Sequence, residues 1–151
     1  SPHAGGRGYF AIGIDHNKNV LNIGTLWRSA DLFGAAFLFT VGARYKPQSS
    51  DTMKSHRNIP LFHFATIDDL VEHLPSGCPL IGVELHKSAY KVDSFIHPDR
   101  ACYLLGAEDH GLTNDAIDRC HSLVQLPGRM SMNVSAAGTV VMYDRYLKRA
   151  A

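Results

Sequence analysis

Three separated segments hold the residues of this chain best equipped for chemistry: NIGTLWRSADLFGA (22–35), LLGAEDHGLTND (104–115) and LPGRMSMNVSAAG (126–138). In each, polar side chains follow or precede an apolar run. A guanidinium (Arg28), a carboxylate (Glu108) and small hydroxyl and amide groups (Ser131, Asn133) would therefore stand at strand ends and helix starts, where open α/β sheets bind ligands. The planar fork of Arg28 suits a phosphate, and Gly24, one turn earlier, leaves bare backbone beside it. Asn22 precedes Arg28 by six residues, about 240° around a helical wheel, so the two cannot share a face. Capping of a helix N-terminus is a sufficient reason for Asn22, and the same reading is open for Ser131 and Asn133 ahead of the last helix. The familiar nucleotide loops are missing, with no GxGxxG after the first strand and no GxxxxGK[ST].

Short apolar runs alternate with helical patterns, which predicts an α/β fold with a largely parallel sheet. Strands are expected at 8–14, 35–42, 79–85, 101–107 and 122–126, and helices at 22–33, 67–74, 114–120 and 133–149. Most of the strands are apolar on both faces, so helices should cover both sides of the sheet. Ile23, Leu26, Trp27, Ala30 and Phe33 follow the spacing of one buried helical stripe, with Arg28 on the other side. The last helix carries two stripes, Val134, Ala137, Val141 and Ala136, Val140, Tyr143, Leu147. It should be buried on two sides, one of them open to a partner subunit. Tyr143 is expected as a core tyrosine, and the run Ala136, Ala137, Gly138 suits close approach of either a partner's backbone or the chain's own sheet.

The length of 151 residues suits one domain, over 8–151. Residues 1–7 are Gly-rich and unpatterned, as a mobile tail or a cloning remnant would be. Cys78, Cys102 and Cys120 are odd in number and widely spaced, which argues against a disulfide framework or zinc site and for a reducing compartment. No long apolar stretch or signal-peptide core is present, so the expectation is a cytoplasmic protein away from the membrane. The nine histidines are scattered, and neither Asp15-His16 nor Asp109-His110 has ligand spacing, so no metal site is expected. Net charge is +1, low for a protein that holds a polyanion. Cations nevertheless cluster locally: Arg44, Lys46, Lys54 and Arg57 in one polar loop, and Arg145, Lys148 and Arg149 at the C-terminus. Such patches can bind RNA, or they can be a solvated loop and a helix end whose charge suits the macrodipole.

The three segments resemble, in order, the three motifs of the TrmH (SpoU) family of SPOUT RNA ribose 2′-O-methyltransferases. The first matches Asn22, six residues on to Arg28, a small residue and the Phe33-Gly34 pair; the second matches G-x-E-x-x-G-L at Gly106, Glu108, Gly111 and Leu112; the third matches a Leu-Pro exit followed by Ser131, Asn133 and Ser135. The likeness spans nearly the whole chain. It departs from the family pattern in motif three, where Pro127 reaches Ser131 through only Gly128, Arg129 and Met130.

The resemblance implies a C-terminal trefoil knot, against the general rarity of threaded chains, and S-adenosylmethionine bound against backbone at Glu84 and Leu85, at Gly106 and Gly111, and at Leu126, Pro127 and Met132. It implies catalytic roles for Arg28, Asn22, Glu108, Ser131 and Asn133, with Glu108 anchoring Asn22. For Arg28, family usage suggests a base toward the 2′-hydroxyl, whereas an always-protonated guanidinium favours a phosphate clamp; both stand. Arg44, Lys46, Lys54, Arg57 and Arg129 are the candidate RNA contacts. The short chain is similar to minimal members that modify the tRNA wobble position as homodimers, so tRNA is favoured over rRNA and dimerisation is expected through the last helix and knot. The alternatives are a SPOUT base methyltransferase, an inert RNA-binding relative and an unrelated small-molecule α/β enzyme.

Overall fold

The computed structural model describes residues 8–17, 20–42, 58–108, 110–128 and 133–150. In chain order these form β1 (Tyr9–Asp15), α1 (Val20–Phe33), β2 (Phe37–Val41), β3 (Leu61–Phe64), α2 (Ile67–Glu72), β4 (Leu80–Val83), β5 (Tyr90–Lys91), a 3-10 turn (Val92–Ser94), β6 (Arg100–Leu105), α3 (Asn114–Arg119), β7 (Ser122–Gln125) and α4 (Val134–Ala150). The strands make one seven-stranded sheet ordered β3-β2-β1-β6-β4-β7-β5, and every pairing is parallel.

Alternation along the strands builds two cores. Phe10, Ile12 and Ile14 of β1 and Ala101, Tyr103 and Leu105 of β6 face α1 and α4, packing with Leu26, Trp27, Val134 and Val141. Ala11, Phe39, Cys102 and Leu104 face the opposite side, packing with Leu70 of α2 and Ala116 of α3. Both faces are covered, as the two-faced apolar strands predict. The α/β class and parallel sheet agree with expectation, and the expected helices lie within two residues of those observed.

Two strands escaped the sequence reading. β3 is an edge strand of four residues with His63 among them, and β5 is only two residues long, too short for any periodicity to show.

In α4, a Cβ on Gly138 would lie 2.5 Å from Leu26 Cδ1 and 2.9 Å from Leu105 Cδ1. The small-residue run therefore seats the helix on the chain's own sheet and α1. The first apolar stripe is buried, but in the second Tyr143 is 50% exposed, against the expectation of a core tyrosine. It leans on Phe33 and Tyr146, with ring centroids 6.4 Å away in each case. The reason is geometric: the sheet takes one stripe, and among the described residues only the flank of α1 meets the other. Of the C-terminal segment that the resemblance places in a trefoil knot, residues 129–132 lie outside the described residues.

Candidate active site

Because all strands run parallel, their C-terminal ends share one edge of the sheet. β1 and β6 lie side by side, and the chain winds away from them in opposite directions, which opens a crevice at that edge. Asn22 of α1 and Glu108 after β6 meet across it: the Asn22 Nδ2 donates to Glu108 Oε1 at 3.1 Å. The first helix begins at Val20, so Asn22 stands inside the first turn and is not its N-cap. The capping reading is thereby replaced by the anchoring one. Arg28 lies exposed further along α1 and makes no hydrogen bond or ion pair among the described residues.

The segment after β6 folds back on itself, Ala107 and Gly111 exchanging backbone hydrogen bonds of 3.2 and 2.8 Å. A Cβ on Gly106 would sit 2.3 Å from the Gly111 carbonyl carbon, and Gly111 itself has φ 68°. Only glycine allows backbone this close. Glu84, just past β4, tucks its carboxylate under the same loop, since a Cβ on Gly111 would meet Glu84 Oε2 at 2.6 Å. Burial pushes the Glu84 carboxyl above its ordinary value, against the pull of the Leu112 and Leu85 backbone N–H groups.

Val83, Glu84, Leu105, Gly106, Gly111, Val134 and Ala137 line a small cavity. A second cavity of about 270 Å³ is lined by Leu85, Lys91, Val92, Asp93, Gln125, Leu126, Pro127 and Gly128. All six described residues expected at the cofactor thus gather at the ends of β4, β6 and β7. Lys91, Val92 and Asp93 were missed, because nothing in a two-residue strand followed by a 3-10 turn announces itself. Gly106 and Gly111 give bare backbone, and the second cavity combines apolar walls with the polar groups of Lys91, Asp93 and Gln125. This is the kind of concave, mostly apolar surface with few polar groups that suits a nucleoside cofactor.

Asn133 caps α4, its Oδ1 accepting from Ala136 N and Ser135 Oγ, each at 3.1 Å. The structural reading of this residue is therefore met, and its Nδ2 carries no bond among the described residues. Ser131, Met132, Arg129, Arg44, Lys46, Lys54 and Arg57 lie outside the described residues.

The C-terminal cations are tied to the chain's own backbone and carboxylates. Arg145 is 1% exposed; its guanidinium donates to the Pro98 and Asp99 carbonyls, both at 2.7 Å, and to the Tyr103 hydroxyl at 3.0 Å. Lys148 donates to the Val92 and Phe95 carbonyls at 2.6 and 2.8 Å, and Arg149 pairs with Asp99. Segment 92–99 passes α4 with carbonyls unclaimed by any strand, and these side chains satisfy them. Beside them His97 bridges Asp144 and Tyr103, at 2.7 Å each, and burial lowers its pKa against the opposing effect of Asp144.

The described residues contain no helix long and apolar enough to cross a membrane. The family model of the SpoU rRNA methylases matches residues 9–143. The chain is 26% identical over 134 residues to the tRNA (guanosine(18)-2'-O)-methyltransferase of Escherichia coli (strain K12), across 85% of this chain and 58% of that enzyme, so it spans little more than half the relative's length. In fold it is similar to the SpoU methyltransferase AviRb from Streptomyces viridochromogenes, solved with the cofactor AdoMet (TM-score 0.83, 22% identity, 95% of this chain and 59% of that one). It is also similar to a protein solved for insight into the 2-OH methylation of C/U34 on tRNA (TM-score 0.80, 18% identity, 95% of this chain and 97% of that one). With the family model covering nearly the whole of the folded sheet and its helices, the chain belongs to the SpoU rRNA methylase family.

Proposed function

We propose that this chain is an S-adenosylmethionine-dependent RNA ribose 2′-O-methyltransferase acting on tRNA in the cytoplasm. The observation that carries the reading is the Asn22–Glu108 bond, which joins two motif residues 86 positions apart at the mouth of the sheet crevice. Beside it, the Gly106–Gly111 loop and the cavity at Leu85, Leu126 and Pro127 offer the backbone and apolar surface that a bent nucleoside needs. S-adenosylmethionine, when bound, supplies a methyl group made electrophilic by its sulfonium.

The chain's own residues must then hold a ribose oxygen in line and keep water out. Glu108 fixes the Asn22 amide toward the crevice, and Asn133, braced by the start of α4, has an amide N–H to offer the ribose. Arg28, exposed on α1, acts here as the clamp on the adjoining phosphate, since a guanidinium is a poor proton acceptor. Arg44, Lys46, Lys54, Arg57 and Arg129 add phosphate contacts. The half-exposed side of α4 and its neighbour Phe33 suit burial against a second copy, giving a homodimer in which the basic loop of one subunit serves the other.

Calorimetry with S-adenosylmethionine and transfer of a labelled methyl group to total tRNA test the reading together. Cofactor binding and labelled tRNA are expected. Tight RNA binding with no cofactor binding would instead mark an inert relative.

A further inference from the structure

One polar cluster at the same edge of the sheet has no part in the scheme above. Asp15, the last residue of β1, is 0% exposed. Its Oδ2 accepts from Thr113 N at 3.0 Å and from Thr113 Oγ1 at 2.9 Å, while its Oδ1 stands 2.8 Å from His16 Nδ1. His16 has a side chain 43% exposed and, at φ 55°, is the one non-glycine among the described residues in the left-handed region. Its ring lies over Gly42, where a Cβ would meet ring atoms at 2.8 to 3.0 Å. A histidine so held, by a buried carboxylate below and backbone beside it, has a fixed orientation. Backbone strain of this kind is kept where the surroundings over-determine it.

The donor pattern identifies what the outer nitrogen can do. A carboxylate only accepts, so Nδ1 carries the proton, and in the neutral ring Nε2 is left as an acceptor. Among the sugar and phosphate groups of a nucleic acid, the 2′-hydroxyl is the one that donates, and it is the group that separates RNA from DNA. β6 lies between β1 and β4, so His16 is one strand spacing from the Leu105–Gly106 end of the smaller cavity and about 10 Å, two spacings, from the larger cavity at Leu85, Leu126 and Pro127. A ring at the flank of the crevice, offset from that larger cavity, suits a nucleotide beside the methylated one. Thr113 heads α3 directly after the Gly106–Leu112 loop, so the same cluster ties this contact to the loop carrying Glu108.

We propose that the Asp15–His16 pair is a specificity site, in which His16 Nε2 accepts a hydrogen bond from the ribose 2′-hydroxyl of a nucleotide flanking the methylated one. This rests on the RNA reading given above. His16→Asn is the decisive variant: Asn keeps a δ-nitrogen donor for Asp15, tolerates the left-handed backbone and lacks the outer acceptor. The probe is a tRNA that the wild-type protein binds, chosen from the total tRNA pool and assembled with single 2′-deoxy substitutions around the methylated position.

Wild-type protein should lose about fivefold in affinity at one flanking deoxy position, the worth of one ordinary hydrogen bond. The His16→Asn protein should bind the unsubstituted tRNA about fivefold more weakly, should no longer sense that deoxy substitution and should keep its S-adenosylmethionine affinity. Native RNA affinity in the variant, an unchanged deoxy penalty at every position, or a parallel loss of cofactor affinity overturns the proposal. Failure of the wild type to bind any tRNA overturns the RNA reading itself, a separate result.

Discussion

Arg28 and Asn22 show what a residue's type reveals and what it conceals. Arg28 was legible as a functional candidate because it falls off the buried stripe of α1, and the structure leaves it exposed, with no hydrogen bond or ion pair among the described residues. Arg28→Ala is expected to reduce methyl transfer by about a hundredfold or more, because a misplaced substrate costs that much, while leaving S-adenosylmethionine affinity within twofold by calorimetry. Full activity in the variant removes Arg28 from the site. Asn22 was harder to place, since a helix start read from sequence is uncertain by a residue or two and a cap differs from a first-turn residue by that margin. Its partner Glu108 lies 86 positions away, a distance that no local pattern spans. The roles of Arg145, Lys148 and Arg149 stayed open for a related reason: sequence shows a cation but not the carbonyls it will meet, here some 46 to 56 residues off.

Among elements, the loop between β6 and α3 is the one whose sequence dictates its shape. A side chain at Gly106 has no space, with backbone atoms of Gly111 and Leu112 at 2.3 to 2.6 Å from a Cβ. Gly106→Ala should therefore displace the loop and weaken S-adenosylmethionine binding by more than about tenfold; unaltered binding would place the cofactor elsewhere. The last helix is legible in extent but not in surroundings. Its two stripes predict burial on two sides, yet only one is buried within the chain, and Tyr143, Tyr146 and Leu147 remain about half exposed. If a second copy covers them, replacing both Tyr143 and Leu147 by Asp should convert dimer to monomer in light scattering. A dimer that survives this change uses another face. β3 and β5 stayed hidden because short edge strands carry too few residues to alternate.

Over the whole molecule, parallel pairing followed from strands apolar on both faces, but strand order did not, since it is set by which ends meet rather than by periodicity. The resemblance supplied what composition could not, and the near-neutral charge of +1 gave no sign of a nucleic-acid partner. Global stability should depend on pH through His97. In the folded chain burial holds its pKa below the ordinary 6.5, so in the window just under that value the unfolded chain binds more protons than the native one. Stability therefore rises with pH across this window and is lost on acidification. The hydrogen bonds agree with a neutral ring, with Nε2–H donating to Asp144 and Nδ1 accepting from the Tyr103 hydroxyl, which itself accepts from Arg145. Urea midpoints should fall between pH 7.5 and pH 5, and His97→Gln should flatten part of that slope; an equal slope in both proteins assigns it to other groups.

The central claim, methyl transfer to a ribose 2′-oxygen, is tested most directly on RNA from cells lacking the gene. That RNA, treated with the purified protein and S-adenosylmethionine, is digested to nucleosides and examined by mass spectrometry. The account predicts that one 2′-O-methyl nucleoside, missing from the untreated sample and present in cells with the gene, is restored. A base-methylated nucleoside with no 2′-O-methyl product, or no methylated product at all, would contradict it.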